Sequence, residues 1–165
     1  MDLFLLGVRI KIVKGYFTSV VIHQNLLYAA ETNENTVYVF YCDSNWKVKN
    51  KINLHFQMNR WTVTLCVRDD RLICSSGSWL GDMIQVYTLK GRFLQTYGTR
   101  GSGEAGQFRR PYICDAVDAG SVLIADCYNG KLQVLSEQGE FSGHMHKHCR
   151  LSSREFKLKL ERMLT

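Results

Sequence analysis

The feature that most narrows the choice of fold is an internal repeat. The segments VYVFYCDSNWKV from Val37, IQVYTLKGRFLQ from Ile84 and LQVLSEQGEFSG from Leu132 start 47 and 48 residues apart. Each alternates apolar and polar residues, breaks at a polar turn, and resumes at an aromatic residue: Trp46, Phe93 or Phe141. Upstream of each lies another matching pair: SVVIHQNLLYAAE (19–31), TLCVRDDRLICSS (64–76) and YICDAVDAGSVLIAD (112–126). Period-two alternation with β-branched and aromatic residues predicts strands, and the short polar clusters between them predict tight turns. No stretch before residue 150 carries a convincing helical period.

Four strands per unit, repeated every roughly 40 to 50 residues, is the pattern of a β-propeller blade. The sequence therefore predicts an all-β fold, a partial propeller of about three four-stranded antiparallel blades. The blades are expected at about 17–56, 60–98 and 108–148, within a domain spanning 1–148. VRIKIVK, from Val8, reads as a strand left over from a preceding blade. Residues 149–165 leave the pattern. Ser152 to Glu155 has the form of a capping box, and Phe156, Leu160, Met163 and Leu164 share a helical face, so this tail is expected as a short helix or as disordered chain. Three blades do not close a ring, so apolar faces are expected to lie bare on blades one and three unless the strand before residue 17 covers one end and the tail the other, and self-association or poor solubility is expected.

Composition bounds the rest. The 165 residues are 45% apolar, enough for one domain with a modest core. No apolar run approaches the ~20 residues of a membrane helix. The opening MDLFLLGVRIKIVKG has an apolar patch, Leu3 to Leu6, with neither a basic leader before it nor a small-residue cleavage site after it, so neither a signal peptide nor a membrane partner is expected. Of the net charge of +6, most belongs to the tail, where Lys147, Arg150, Arg154, Lys157, Lys159 and Arg162 face only Glu155 and Glu161. Cys42, Cys66, Cys74, Cys114, Cys127 and Cys149 form no C-x-x-C pair, and most sit in strand-like runs. They read as buried reduced thiols of a cytoplasmic protein, with a secreted disulfide framework as the alternative.

The stretch GSGEAG, residues 101–106, matches G-x-G-x-x-G. A dinucleotide fingerprint needs a helix to follow, so that its N-terminal N–H groups hold the pyrophosphate. Here QFRRPYICDAV follows, with Pro111 where the helix should run and strand alternation beyond it. The glycines read instead as a linker that crosses from blade two to blade three, with Phe108 and Pro111 anchoring the start of the next strand. No cofactor is expected.

Residues 98–141 resemble one NHL repeat. The positions that carry the resemblance are Gly106-Gln107-Phe108, Pro111, Gly120, Ala125-Asp126, Asn129, Leu132-Gln133-Val134 and Gly139. The segment departs from the family at Val117, where Asp is usual, and at Gly130-Lys131, where His-Arg is usual. Blades one and two match loosely, with Glu31 and Ser75 standing where Asp126 does. In physical terms Asp126 ends a strand and its carboxylate can accept turn N–H groups, while Asn129 tolerates left-handed geometry. A catalytic carboxylate is the competing reading of Asp126, but the repeat offers no nearby His or second acid.

Four further groups invite functional readings. Arg100, Arg109 and Arg110 flank the crossing, with Tyr112 close in sequence. Arginine beside an aromatic suits a partner's acidic groups or an RNA backbone, and a solvated loop is the plainer alternative. Trp79 sits in a loop longer than its counterparts, either packed over a blade edge or offered to a partner. His144, His146 and His148 fall on one side of a strand beside Cys149, a spacing open to zinc or copper but equally common for solvated histidines, and no metal is assigned.

The NHL resemblance implies a six-bladed interaction platform, such as the substrate- or RNA-binding part of tripartite-motif ubiquitin ligases. The chain has no RING-type zinc spacing. The expectation is a binding module, not an enzyme, in ubiquitin-dependent turnover, with a protein partner and RNA as the alternative ligand. A lyase- or lactonase-like propeller is the enzymatic alternative. It needs His, Asp or Glu converging from several inner strands, which here supply Asp115 and little else.

Overall fold

The computed structural model describes residues 3–5, 8–10, 15–43, 46–55, 63–78, 81–102, 104–116, 121–136 and 138–146. The tail expected as helix or disordered chain, Trp79 and His148 lie outside them. The described residues form strands and turns, with no helix. Blade one comprises β3 (Phe17–His23), β4 (Leu26–Glu31), β5 (Thr36–Tyr41) and β6 (Val48–Asn53). Blade two comprises β7 (Val63–Arg68), β8 (Arg71–Ser78), β9 (Gly81–Thr88) and β10 (Phe93–Tyr97). Blade three comprises β13 (Pro111–Ala116), β14 (Val122–Asp126), β15 (Lys131–Leu135) and β16 (Phe141–His146). Each is a four-stranded antiparallel meander in sequence order.

Two small sheets complete the fold: β1 (Leu3–Leu5) with β2 (Val8–Ile10), and β11 (Thr99–Arg100) with β12 (Gln107–Phe108). The first corrects the expectation of a single leftover strand from Val8. The chain doubles back, and Leu3 pairs with Ile10 and Leu5 with Val8, because the apolar run before Val8 supplies a strand of its own.

Period-two alternation gives every blade two apolar faces, and neighbouring blades bury them against one another. Tyr28, Ala30, Val37, Val39 and Ile52 of blade one meet Val63, Leu65, Leu72, Cys74 and Tyr87 of blade two. One residue along in blade two, Cys66, Ile73, Ile84 and Val86 turn to the other side. There they meet Phe108, Ile113, Val122, Ile124 and Leu135. These are seam one and seam two. The first strands of the blades lie side by side, β3 against β7 and β7 against β13. Hydroxyls fasten them: Leu65 N donates to Ser19 Oγ at 3.0 Å, and Ile113 N donates to Thr64 Oγ1 at 2.8 Å.

The outward face of blade one is not bare. Leu27, Ala29, Tyr38 and Phe40, which alternate with the seam-one residues, are all 2% exposed or less, with Phe17, Val20, Cys42 and Trp46 packed around them. Phe17 from β3 and Trp46 from the β5–β6 turn are among the side chains that pack on that face, a placement that sequence alternation alone does not reveal. On the corresponding face of blade three, Leu123, Leu132 and Val134 are half-buried.

Candidate functional site

The site is built where the chain crosses from blade two to blade three. After β10, Gly98 takes a positive φ of 79°, and a Cβ there would stand 2.3 Å from the Phe108 ring and 2.9 Å from Gly106 O. The crossing then closes on itself. Thr99 N donates to Gly106 O at 2.9 Å and Gly101 N to Phe108 O at 3.0 Å, a short parallel ladder between β11 and β12. Phe108 is fully buried, edge-on to Phe141 at 5.4 Å. The GSGEAG stretch thus leads into strand, and its glycines serve a compact crossing loop, as the sequence predicts for a linker.

Buried carboxylates fix this loop to the blades. Asp126, fully buried at the end of β14, accepts Arg109 N–H at 2.7 Å through Oδ1. Its Oδ2 accepts the Asn129 amide at 2.7 Å and the Gln133 amide at 3.3 Å. Gln133 in turn accepts Gly106 N–H at 2.8 Å and donates to Gln107 O at 2.9 Å. Asn129 also donates to Gly101 O at 2.8 Å. The left-handed position in this turn falls to Gly130, φ 63°, and not to Asn129, whose side chain is committed to bonding.

Glu31 does the equivalent work in blade one, accepting Tyr16 N–H and Glu34 N–H, each at 2.7 Å. In blade two the register places Ser76, opposite Val63, where Asp126 stands opposite Pro111, which corrects Ser75 by one position. The acid of blade two is instead Asp82, on β9. It is 5% exposed and accepts Arg110 N–H at 3.0 Å across seam two.

Three arginines bring their charge to bear on Asp82. Arg100 Nε lies 3.8 Å from its Oδ2, and the charges of Arg100, Arg109 and Arg110 all act on it. Burial pushes the Asp82 carboxyl above its ordinary value, and the Arg110 N–H and the three cations draw it partly back. Burial likewise raises Asp126, opposed by the Arg109 N–H, Asn129, Gln133 and the charge of Lys131.

Arg110 takes a positive φ of 61°, a strained setting for a residue with a side chain. Its guanidinium lies 4.9 Å from the centre of the Tyr128 ring and donates to Tyr128 OH at 2.7 Å. Arg100 and Arg109 are exposed, and Tyr128 is 63% exposed.

The structure therefore brings Arg100, Arg109 and Arg110 together. Tyr112 lies on β13, next to Ile113, on the face turned from blade two, and the aromatic that meets Arg110 is Tyr128. Sequence reasoning missed Tyr128 because it sits inside the Asp126–Asn129 turn and looks like filler. Asp82 was missed because the β8–β9 hairpin runs two residue pairs past Ser76, to Gly77↔Asp82 and Ser78↔Gly81, carrying the acid onto the next strand.

Among the described residues no group of three or more His, Cys, Asp or Glu could hold a metal. His144 and His146 fall on β16, but their side chains lie outside the description. At the opposite end of seam two, between Arg68, Ile73, Val86, Tyr97, Val122 and Leu135, a cleft of about 30 Å³ has room for little more than a water. Among the described residues no helix is long and apolar enough to cross a membrane.

No protein-family model matches the chain, and no curated protein matches it. Solved structures resemble it in fold. A streptogramin B lyase superimposes with a TM-score of 0.64 at 12% identity, over 86% of this chain and 44% of that one. A virginiamycin B lyase from Staphylococcus aureus gives 0.61 at 12% identity, over 82% and 42%. The computationally designed Ika4 protein gives 0.59 at 13% identity, over 84% and 77%. Together with the three meandering sheets and their adjacent first strands, these likenesses define the class as an open, partial β-propeller. The chain spans less than half the length of the lyases it matches. At such identity the likeness extends to the fold alone.

Proposed function

We propose that the chain is an interaction module of the NHL-repeat type, not an enzyme, and that its crossing rim receives acidic segments of a protein partner. In the setting the NHL resemblance implies, it serves substrate recognition in ubiquitin-dependent protein turnover. The observation that carries this reading is the arginine cluster at Asp82: Arg100 Nε lies 3.8 Å from its Oδ2, Arg110 N–H donates to its Oδ1, and Arg109 precedes Arg110 in the chain. Two of the three are exposed, and the side chain of Arg109 makes no hydrogen bond or ion pair among the described residues.

The carboxylates support binding over catalysis. Glu31, Asp82 and Asp126 each hold backbone N–H groups and are buried, whereas a general acid or base must reach its substrate.

The test is a fluorescence-anisotropy titration of the 165-residue chain with a Glu/Asp-rich peptide, at low and at 150 mM salt. Binding is expected to weaken with salt and to weaken further in Arg109→Gln. An acidic peptide that binds the variant as well as the parent, or a single-stranded RNA that binds more tightly than the peptide, would sink the reading.

A further inference from the structure

We infer that the far face of blade three, the one turned from blade two, is a docking face for the chain's own tail, residues 152–164. The strand register makes it a seam face. In blade one Tyr28 pairs with Val39 and Ala30 with Val37, and these four residues help seal seam one. The same places in blade three hold Leu123 paired with Val134 and Ala125 paired with Leu132. Each pair stands at the same offset from the acid that ends its strand, Glu31 in β4 and Asp126 in β14. In blade one all four are 2% exposed or less, with blade two packed on them. In blade three Leu123, Leu132 and Val134 are half-buried. A sheet face that is apolar at each of these seam positions calls for a cover.

The opposite end of the arc argues against a second copy as that cover. By the repeat, the natural partner of this face is the outward face of another copy's blade one. There Leu27, Ala29, Tyr38 and Phe40 are already 2% exposed or less, so head-to-tail stacking finds one of its two surfaces closed. The tail, by contrast, follows blade three directly. β16 ends at His146, and the five residues 147–151 separate it from Ser152. Five extended residues reach about 17 Å, enough to turn from the edge strand onto the face.

Residues 147–165 lie outside the described residues, and their sequence suits the task. Ser152 to Glu155 has the form of a capping box, and Phe156, Leu160, Met163 and Leu164 share one helical face. A helix over 152–164 is about 20 Å long. Such a helix crosses a face of four strands set about 4.8 Å apart once, from edge to edge. Arg154 and Arg162 fall on the other side of that helix, so docking leaves their charge in water.

NMR on the methyl-labelled full chain tests this. The methyl groups of Leu123, Leu132 and Val134 are expected to show nuclear Overhauser contacts to the Phe156 ring. Amides 156–164 are expected to exchange at least about tenfold more slowly than in a free peptide of residues 149–165. Both features should persist on dilution. The double variant Phe156→Asp, Leu160→Asp is expected to lose both, while the Leu65 and Ile113 amides at the two seams stay as protected as in the parent. Absence of the methyl–ring contacts in the parent, or tail amides that exchange at the free-peptide rate, would overturn the inference. Contacts that vanish on dilution, with a matching fall in mass by light scattering, would assign the face to a second copy and overturn it as well.

Discussion

Seam one is sealed by apolar side chains along its length, from Val63 and Leu65 at the first strands to Ile52 and Tyr87 farther out, and the bonds across it are made by neutral hydroxyls: Ser19 Oγ accepts Leu65 N–H, Thr18 Oγ1 donates to Val63 O, and Tyr87 OH accepts His55 N–H. Seam two has a comparable apolar layer, but Asp82, Asp126 and Gln133 sit beside it and tie down a loop and a strained arginine. The first joint depends on area, which degrades gradually as atoms are removed. The second depends on directional bonds to buried groups, where the loss of one acceptor strands several donors at once. That contrast places the adaptable chemistry of the molecule on one seam and its plain adhesion on the other.

Backbone space at seam two should give the largest effect. Gly98→Ala puts a Cβ 2.3 Å from Phe108 and 2.9 Å from a backbone oxygen at positive φ, so a loss of about 3 kcal/mol or more is expected in urea unfolding. Gly130→Ala, at a φ of 63° with nothing within 4 Å, should cost only about 1 kcal/mol. Similar losses from the two would mean that the tight crossing contributes nothing.

Next comes Asp126→Ala, which leaves Arg109 N–H, Asn129 and Gln133 without their shared acceptor. About 2 to 3 kcal/mol is expected. Amide exchange at Arg109 should accelerate with it, and unchanged exchange there would contradict the tether. Ser19→Ala removes one of the hydroxyls that bond across seam one and should cost about 1 kcal/mol. If it costs as much as Asp126→Ala, the distinction between the seams fails.

The smallest effect is a pH dependence. Asp82 and Asp126 are raised above their ordinary 3.8 in the folded chain. A carboxyl so raised binds its proton more readily folded than unfolded. Its contribution to stability is therefore fully present below 3.8 and is lost as pH rises through the folded value. The parent should consequently gain stability relative to the Asp82→Asn, Asp126→Asn double variant as pH falls from neutral toward that value. Urea midpoints of both chains across the range measure it, and a gap that narrows on acidification would reverse the sign.

Much of the fold was legible because strands announce themselves by alternation and the repeat multiplies a weak signal by three. Phe108 and Asp126 were legible for the same reason, as repeat positions with a physical task. What escaped were features with no period. Ser19 and Thr64 are single hydroxyls in apolar strands, and the meeting of β3, β7 and β13 gives them backbone N–H partners across the seams. Asp82 moved off its repeat position because one hairpin is longer. The covered face of blade one depends on where Phe17 and Trp46 fold, which pattern does not specify.

The ladder between Thr99–Arg100 and Gln107–Phe108 bears on how the chain reaches its native state. Thr99 and Gln107 are eight positions apart, so the crossing forms from neighbours in sequence. Closing so short a loop costs little chain entropy, and loops of about ten residues close in roughly 10–100 ns. Once formed, it holds the start of blade three beside the end of blade two before either sheet is complete. Blades two and three then search for each other over a short tether, and seam two becomes a point from which folding spreads.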